Sequence, residues 1–365
     1  MITYKTSEWV SPGHPDKVAD GISEYILDKI IELDPKARYA VEAQIKGDIV
    51  NLAGELTTTA DICDGDLQNW AKEAVSAIGY TEAYKDRWAE GDTISYLDLI
   101  VTCNIGKQSP DIAQGVNKDA WGDQGIFFGY YCNETDSGQG IDYQTAKTLG
   151  MALYNDARTG EHPTGLDIKT QVTARMEETG DYEITDVIVA IPTIEGKIDD
   201  KELKKYIKKV IKEHVPQAEN AHLIVNGTGA YHIHGPVGDS GTTGRKLVVD
   251  FYGSRSRIGG GSPWTKDGSK SDLTLNLFAH EMAKRYFDIL KAEGADVHHV
   301  ETELGCCIGR QEVSCFIMAY DSEYVPIYRT IESGKIKPSE LIEKYELDKP
   351  HFFELTINGL FTRIK

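Results

Sequence analysis

Residues 196–203 read GKIDDKEL, and residues 334–341 read GKIKPSEL. Both phrases lead into a segment in which apolar and charged residues recur with helical spacing, as is typical of a surface helix. They stand at the same place in a longer pattern, which runs long helix, two strands, second helix and strand. The two phrases therefore indicate that one structural unit is repeated along the chain.

The pattern can be followed three times. Apolar residues at intervals of three and four predict the long helix of each copy, and the Gly-Asp pairs at 47–48 and 180–181 predict turns between strands. The first copy has a helix at 18–33, YAVEAQI, IVNLAGEL, a helix at 67–78 and YLDLIVTCNIG; the second has YQTAKTLGMALYNDA, TQVTARMEE, ITDVIVAIP, DKELKKYIKKVIKEHV and HLIVN; the third has a helix at 275–289, VHHVETELG, VSCFIMAY, SELIEKYEL and FFELTING.

The repeat predicts an α+β fold with three similar helix–sheet subdomains around a pseudo-threefold axis. We place an N-terminal subdomain at residues 1–105, a lid loop with the central subdomain at 106–230, and a C-terminal subdomain at 231–365. Each sheet should carry its own helices on one face and meet neighbouring sheets with the other. The alternative is a chance similarity between amphipathic segments, because helix–hairpin patterns are common.

The overall charge excludes several classes of partner. The 365-residue chain has 58 Asp and Glu against 39 Lys and Arg, which gives a net charge of -19. Such a surface repels nucleic acid and anionic membranes, so we expect neither as a partner. Six scattered cysteines without a C-x-x-C pair suit a reducing compartment. With no signal-peptide pattern and no membrane-length apolar run in the sequence, we expect a soluble cytoplasmic protein.

The glycine-rich segment at residues 235–246, GPVGDSGTTGRK, has the composition of a phosphate-binding loop. It does not match a P-loop, because Asp239 stands where the first glycine is required and Arg245 where the lysine is required. It is not a dinucleotide fingerprint either, because it leads into LVVDFYG, which we interpret as a strand rather than a helix. An ordinary turn is the alternative.

Basic side chains are concentrated through residues 235–272 of this acidic protein. Glycines let a backbone approach a ligand, lysine supplies a compact charge and arginine a fork for phosphate oxygens. Carboxylates fit Mg²⁺, a hard cation that proteins usually share with phosphate. We interpret the run as a polyphosphate–metal site, with a structural loop as the alternative. Its basic residues are Arg245, Lys246, Arg255, Arg257, Lys266 and Lys270, and its acidic residues are Asp239, Asp250, Asp267 and Asp272.

SPGHPDK, at residues 11–17, is the predicted start of the first long helix. A helix N-terminus offers free N–H groups to an anion, His14 could donate to phosphate, Lys17 adds charge, and Asp16 could reach a divalent cation. An ordinary helix start with an acidic first turn is the alternative.

Two further segments are candidates. In LDIKTQV, Asp167 and Lys169 share one face if the segment is a strand, although a solvated strand face is the alternative. Residues 106–125, GKQSPDIAQGVNKDAWGDQG, form a long polar loop that is either disordered or a functional lid.

Taken together, these segments resemble S-adenosylmethionine synthetases (methionine adenosyltransferases). The resemblance runs from SEWVSPGHPDKVAD to about Phe361 and is carried by GHPDK, AGELTTT, GKQSPDI, GDQGIFFGY, IKTQVT, GPVGDSGTTGRKLVVDFYG and GGGSPWTKDGSKSD, in the family's order. It implies the family's three-subdomain fold. It also implies the reaction of ATP, L-methionine and water to S-adenosylmethionine, phosphate and diphosphate. The methionine sulfur attacks the ribose C5′, triphosphate leaves, and the triphosphate is then hydrolysed.

The resemblance implies roles for the residues at matching positions. The implied catalytic residues are His14, Lys169, Arg245, Lys246, Lys266 and Lys270. The implied ATP-binding residues are His14, Asp167, Lys169, Ala230, Tyr231, Asp239, Arg245, Lys246, Ser262 and Lys266, and those for methionine are Glu55, Gln108, Asp123, Asp239 and Lys270. Two Mg²⁺ ions per site are implied at Asp16 and Asp272, and K⁺ at Glu42.

The resemblance further implies an active site shared between two subunits, in which the partner supplies the lid, Glu55 and Asp123. A homodimer is the expected minimum, with a homotetramer, a dimer of dimers, as the larger alternative. ATP and L-methionine are the expected substrates.

The chain departs from the family's usual phrases around the expected pockets. N-P-T-G-R-F reads NGTGAY, with Ala230 for arginine and Tyr231 for phenylalanine. H-G-G-G reads IGGG from Ile258, and A-F-S-G-K reads SPWTK, with Pro263 and Trp264 ahead of the lysine. One alternative is therefore a relative with shifted nucleotide or methionine-analogue specificity, and another is a non-catalytic ATP-binding regulator. A kinase or ligase of another type is disfavoured because the P-loop and kinase loops are missing.

Overall fold

Three four-stranded sheets and their helices make up the described part of the molecule. A computed structural model describes residues 3–107, 119–177 and 181–363. Sheet 1 has the strand order β9-β2-β3-β4, sheet 2 the order β1-β6-β7-β8 and sheet 3 the order β5-β10-β11-β12. The α+β fold with three helix–sheet subdomains, predicted from the repeat, is therefore confirmed.

The elements have the following bounds. The strands are β1 Thr3–Val10, β2 Arg38–Lys46, β3 Ile49–Thr57, β4 Ile100–Gly106, β5 Gly125–Cys132, β6 Lys169–Met176, β7 Tyr182–Ala190, β8 His222–Val225, β9 Gly241–Thr242, β10 His299–Cys306, β11 Glu312–Tyr320 and β12 Pro326–Lys335. The helices are α1 Pro15–Leu33, α2 Asp64–Ile78, α3 Glu82–Lys85, α4 Ile141–Thr159, α5 Asp200–His214, α6 Gly235–Gly238, α7 Leu247–Asp250, α8 Ser271–Ala292, α9 Pro338–Tyr345 and α10 Phe352–Asn358, with 3₁₀ turns at Tyr96–Asp98, Pro216–Ala218 and Leu360–Arg363.

The subdomains exchange strands in a closed cycle. β1 leads into α1, which packs on sheet 1, yet β1 pairs with β6 of sheet 2. β5 leads into α4, which packs on sheet 2, yet β5 pairs with β10 of sheet 3. β9 precedes α8, which packs on sheet 3, yet β9 pairs with β2 of sheet 1. No sheet is thus built from one chain segment alone, and the boundaries at residues 105 and 230 stay a prediction.

The long helices fill the middle of the molecule. In α1, Val18, Ile22, Ile26 and Ile30 are fully buried, as the periodicity predicts, whereas Leu33 at the helix end is 58% exposed. The strand faces without helices are exposed or half-buried in the single chain: Ile100 is 60% exposed and, on the edge strand β12, Ile331 is 67% exposed. The expectation that these faces meet neighbouring sheets is therefore wrong within one chain. Among the described residues, every helix is too short or too polar to span a bilayer.

The third subdomain differs from the repeat at two places. FFELTING, placed at the strand position of the pattern, forms the helix α10, because the Asp28 carboxylate accepts hydrogen bonds from the amides of Phe352 and Phe353 at its N-terminus. The sheet takes its last strand from β12 instead, which pairs antiparallel with β11. In the other two sheets the last strands, β4 and β8, are parallel to their neighbours and follow a helical crossover.

LVVDFYG, interpreted above as a strand, begins with the helical turn α7. The β-branched pair Val248-Val249 favours a strand by propensity, but tertiary contacts override it. The side chain of Asp250, at the end of this turn, is held in the interior by Lys17.

The long helices share one chemical feature, an aspartate at their second residue. Asp16 in α1, Asp142 in α4 and Asp272 in α8 occupy this position. Each contacts a basic side chain from the run at 235–272: Lys246 with Asp16, Arg255 with Asp142, and Lys266 with Asp272. An acid in the first turn complements the helix dipole, so the three junctions repeat the same electrostatics.

We predict that Gly241→Ala destabilises the fold by about 1–3 kcal/mol, the usual cost of overpacking a tight site. A Cβ at Gly241 in β9 would overlap the carbonyl oxygen of Pro15 at the start of α1. Gly334→Ala in β12, where a Cβ meets nothing within 4 Å, is the matched control and should change stability by less than about 0.5 kcal/mol. Urea denaturation measures both, and equal effects would contradict the close packing of β9 on α1.

Candidate active site

The N-terminus of α1 carries the first candidate residues. Pro15 occupies the first turn, and the Nδ1 of His14, the N-cap residue, accepts a hydrogen bond from the amide of Asp16 at 3.1 Å. Since Nδ1 is an acceptor, the neutral ring carries its proton on Nε2, which is available as a donor. Burial, aided by the charges of Lys246 and Lys169, lowers the pKa of His14 to about 4. At neutral pH His14 is therefore an uncharged hydrogen-bond donor.

Asp16 joins this helix start to the glycine-rich loop. Its Oδ1 accepts the amide of Thr242 at 3.0 Å, and its Oδ2 lies 2.8 Å from the Nζ of Lys246. Arg245 approaches Oδ1 at 3.5 Å and is otherwise exposed. Although burial opposes ionisation, the bonds from Lys246 and Thr242 lower the pKa of Asp16. The carboxylate is therefore ionised and the basic side chains are drawn to the helix N-terminus.

The segment before β6 brings Asp167 to the start of the glycine-rich loop. Its carboxylate accepts the Tyr231 hydroxyl at 2.8 Å and the Gly235 amide at 2.9 Å. Burial raises the pKa of Asp167 to about 6, although these two bonds oppose the rise. Lys169, two residues on and exposed on β6, forms an ion pair of 2.5 Å with Glu8 of β1. Asp167 and Lys169 therefore face different surroundings.

Lys266 and Asp272 form the third junction. The Nζ of Lys266 contacts Oδ2 of Asp272 at the start of α8, and a Cβ at Gly261 would overlap that carboxylate. The backbone of Lys266 also forms an isolated antiparallel bridge with Ala40 of β2. Ser262 lies against Gly244, so this junction adjoins the glycine-rich loop.

Buried charged side chains of α1 and α7 hold the glycine-rich loop in place. The sequence predicted Lys17 at the start of α1 but not its buried acidic partners. Lys17 is 4% exposed, and its Nζ contacts Asp20 at 3.0 Å and Asp250 at 2.6 Å. The expectation that Lys17 adds charge for a phosphate is therefore wrong. Asp20 also accepts the amide of Gly244, which adopts φ +74° as the tight turn requires. An acid three residues after a lysine on a buried helix face is a signal that could have revealed the pair.

Arg255, interpreted above as part of the polyphosphate site, is likewise paired with buried acidic side chains. Its guanidinium bonds both oxygens of Glu134, at 2.6 and 2.9 Å, and Oδ1 of Asp142 at 2.6 Å. With an exposed fraction of 6%, it ties the 254–270 loop to the start of α4 and cannot reach a ligand. Arg257 pairs with Glu303 at 2.9 Å on the surface.

The other described candidates are exposed or half-buried, and among them Asp239 carries a charge that opposes the lowering of the His14 pKa. Glu42 is exposed on β2, Glu55 is half-buried on β3 opposite Ala40, and Ala230 is exposed before Tyr231. Asp123 is exposed just before β5, and the exposed carboxylate of Asp239 accepts a hydrogen bond from the Ser240 amide. Lys270 is the N-cap residue of α8. Gln108 and most of the lid lie outside the described residues.

The two candidate magnesium ligands fit a metal that arrives with its polyphosphate. No group of three or more metal-ligating side chains occurs within residues 3–107, 119–177 and 181–363. Mg²⁺ is usually held by one or two carboxylates together with substrate phosphates and water. Asp16 and Asp272, each at a helix N-terminus beside a lysine, supply such oxygen ligands.

The fold and the site define the class of the protein: three strand-exchanging helix–sheet units in which basic side chains meet helix N-termini. Three sequence models of S-adenosylmethionine synthetase match the chain: the N-terminal domain at residues 3–110, the central domain at 118–231 and the C-terminal domain at 233–365. The chain belongs to the S-adenosylmethionine synthetase family.

Individual relatives align with nearly the full length of the chain. The chain is 32% identical to the S-adenosylmethionine synthase of Mycolicibacterium gilvum (strain PYR-GCK), covering 98% of this chain and 93% of the relative. It is 34% identical to that of Helicobacter pylori (strain P12), covering 98% and 92%. A solved structure, described as an unusual S-adenosylmethionine synthetase from Campylobacter jejuni, superposes with a TM-score of 0.83 at 26% identity, covering 98% and 94%.

We predict that Tyr231→Phe destabilises the protein by about 1–2 kcal/mol more at pH 8 than at pH 4, since it removes a hydrogen bond to a charged group. The pKa of Asp167 is raised from 3.8 to about 6, so the stability linked to this shift is complete below pH 3.8 and is lost as pH rises through about 6. Without the Tyr231 hydroxyl the pKa rises further, and the loss extends to higher pH. Denaturation at several pH values tests this, with the exposed Tyr182→Phe as control; a pH-independent difference would contradict it.

Proposed function

We propose that the protein is a methionine adenosyltransferase, which converts ATP, L-methionine and water into S-adenosyl-L-methionine, phosphate and diphosphate. The observation that carries the proposal is the clustering of His14, Asp16, Arg245 and Lys246 at the N-terminus of α1, in a protein of net charge -19. Such a concentration of donors and positive charge suits a polyanionic leaving group. Family membership supports the same reaction.

The proposed first step requires no general base, because the nucleophile is the neutral thioether sulfur of methionine. As sulfur attacks C5′, negative charge grows on the triphosphate oxygen that leaves. Lys169, Arg245, Lys246 and Lys266 would stabilise that charge, and His14 would donate through Nε2. Asp16 and Asp272 would hold Mg²⁺, which would supply further positive charge to the phosphate oxygens.

Orientation supplies the remainder of the rate enhancement in this proposal. Holding sulfur and C5′ in line could lower the barrier by about 7–11 kcal/mol. Asp167 and Tyr231 would position the adenosine portion, while Ala230, Asp239 and Ser262 would line the nucleotide site. Glu55, Gln108, Asp123, Asp239 and Lys270 would bind the methionine amino and carboxylate groups, and Glu42 would bind K⁺.

We infer a homodimer with shared active sites, with a dimer of dimers as the larger form. Glu55 lies half-buried on β3 and pairs across the sheet with Ala40, whose backbone bridges Lys266 on the other side. The same outward face of sheet 1 exposes Glu42 and Ile100. A partner subunit on this face would cover apolar surface and would bring its own Glu55 and Asp123 to the cleft.

We predict that incubation with ATP, methionine, MgCl₂ and KCl yields S-adenosylmethionine together with equal amounts of phosphate and diphosphate. Mass spectrometry of the products, with each component omitted in turn, makes the measurement. Formation of ADP alone would favour a kinase, and bound ATP without turnover in an assembled dimer would favour a regulator.

We also predict that Lys266→Ala and Asp16→Asn each lower product formation by at least about a hundredfold, because the first removes a positive charge from the proposed triphosphate site and the second removes a proposed magnesium ligand. The Asp16→Asn side chain retains an acceptor for the Thr242 amide, so circular dichroism and the Tm should report an intact fold. Lys85→Ala, which breaks an ion pair of 2.9 Å with Asp98 on the surface, is the control. Near-normal turnover in either site variant would refute the assignment.

A further inference from the structure

The residue before Lys266 has an unusual backbone conformation. Thr265 adopts φ +72° and is 3% exposed. A β-branched residue rarely occupies the left-handed region, and such residues persist only where their surroundings hold them there. The direction in which Lys266 leaves the chain therefore depends on what holds Thr265.

Trp264 supplies the first anchor. Its indole Nε1 donates to Oδ2 of Asp250 at 2.7 Å, and its ring lies 4.7 Å from the Nζ of Lys17. Lys17 in turn bonds the other oxygen of Asp250. The side chain of Trp264 is 1% exposed, so the segment before Lys266 is fixed to α1 and α7 by a buried polar contact.

Glu24 supplies the second anchor from the middle of α1. Its Oε1 accepts the amide of Thr265, and the residue is fully buried. Among the described residues its Oε2 has no hydrogen-bond partner. Burying a carboxyl group costs free energy unless the group is hydrogen-bonded. Glu24 makes its hydrogen bond to the strained residue Thr265. Burial raises the pKa of Glu24 well above its ordinary value, although the hydrogen bond from the Thr265 amide opposes the rise.

On the other side of Lys266 the chain is tied to β2. The carboxylate of Asp267 accepts the amide of Tyr39 at 2.8 Å, and the amide of Asp267 donates to the carbonyl of Tyr39 at 3.2 Å. With Ala40 bridging Lys266 itself, the lysine sits between two fixed points. Only its side chain, 23% exposed, is free to turn between Asp272 and a ligand.

We propose that Trp264 and Glu24 are positioning residues that hold Thr265 in its left-handed conformation and thereby aim the Lys266 ammonium at the phosphate-binding cleft. The proposal rests on the proposed function, since it assigns Lys266 a polyphosphate ligand. A purely structural role for the two residues would stabilise the protein without affecting how Lys266 meets its ligand.

The first test compares Trp264→Phe with Trp88→Phe. Both replace a buried indole by a smaller ring, but in the described part of the chain the Nε1 of Trp88 has no acceptor to lose. We expect Trp264→Phe to lower kcat for S-adenosylmethionine formation about tenfold, since small misplacements of a positioned group have effects of this order, with KM for methionine within about twofold. Trp88→Phe should lower the Tm while kcat at 25 °C is retained. Equal kcat values for the two variants would overturn the proposal.

The second test is a double-mutant cycle with Thr265→Gly. Glycine adopts φ +72° without steric cost, so the anchor becomes less necessary. We expect the double variant Trp264→Phe/Thr265→Gly to have a kcat at least about threefold higher than that of Trp264→Phe. Independent sites do not show such a coupling. A packing defect at Trp264 would not be repaired by glycine at the next residue, so additive losses would overturn the proposal.

Glu24 provides a third test that does not require a folded Trp264 variant. Glu24→Gln retains an oxygen acceptor for the Thr265 amide and should retain kcat within about twofold, whereas Glu24→Leu leaves that amide unpaired and should lower it about tenfold. Equal behaviour of the two variants would contradict the positioning role.

Binding of inorganic tripolyphosphate with MgCl₂, measured by calorimetry, separates failure of this proposal from failure of the proposed function. If the wild-type protein binds tripolyphosphate but forms no S-adenosylmethionine, the proposed reaction is wrong and the positioning role is still tested. In that case Trp264→Phe should bind about tenfold more weakly than Trp88→Phe. If the two variants bind equally, the positioning role is wrong whatever the reaction.

Discussion

The hydrogen-bonded ladder between β1 and β6 is the constraint on which the rest of the structure depends, together with its two counterparts between β5 and β10 and between β9 and β2. Each ladder commits a strand to one sheet while the following long helix packs on another. The chain must therefore cross from one subdomain to the next between each of these strands and its long helix. These crossings place the helix N-termini beside residues from other subdomains, and the candidate active site is built at two of them.

Each of the three long helices has an aspartate at its second residue, but the three aspartates differ in burial and in their basic partners. Asp142 is fully buried, and the guanidinium of Arg255 closes it off together with Glu134. Lys246 and Lys266, in contrast, are 19% and 23% exposed where they meet Asp16 and Asp272. A buried bidentate arginine is a fixed contact, whereas a lysine at a cleft can exchange partners at small cost. The pseudo-threefold repeat thus yields one structural clamp and two junctions that remain open to a ligand.

Local patterns predicted the repeated unit well, because the long helices and the hairpins β2–β3 and β6–β7 are specified by residues close in sequence. The exchanged strands could not be predicted this way, since a pairing such as Trp9 with Thr170 depends on distant segments. The helix α10 and the turn α7 were missed for the same reason: the side chains of Asp28 and Lys17, far away in sequence, decide their conformations. Composition grouped Arg245 at the cleft with Arg255 in the interior, because both stand among glycines, whereas the motif resemblance implied a role for Arg245 alone.

The ion pairs of the cleft explain how it can hold many charges without a ligand. Asp16 with Lys246, and Asp272 with Lys266, each join an expected metal ligand to an expected phosphate ligand. A magnesium–triphosphate complex offers both partners at once: the cation suits the carboxylate and the phosphate oxygens suit the ammonium. If these residues bind that complex as proposed, every charged group would exchange one opposite charge for another, and none would be left unpaired in either state. Such an exchange would require the ammonium groups to turn while their backbones stay fixed. The buried contacts of Asp20 with Gly244, of Trp264 with Asp250 and of Glu24 with Thr265 hold the backbone just before the two lysines.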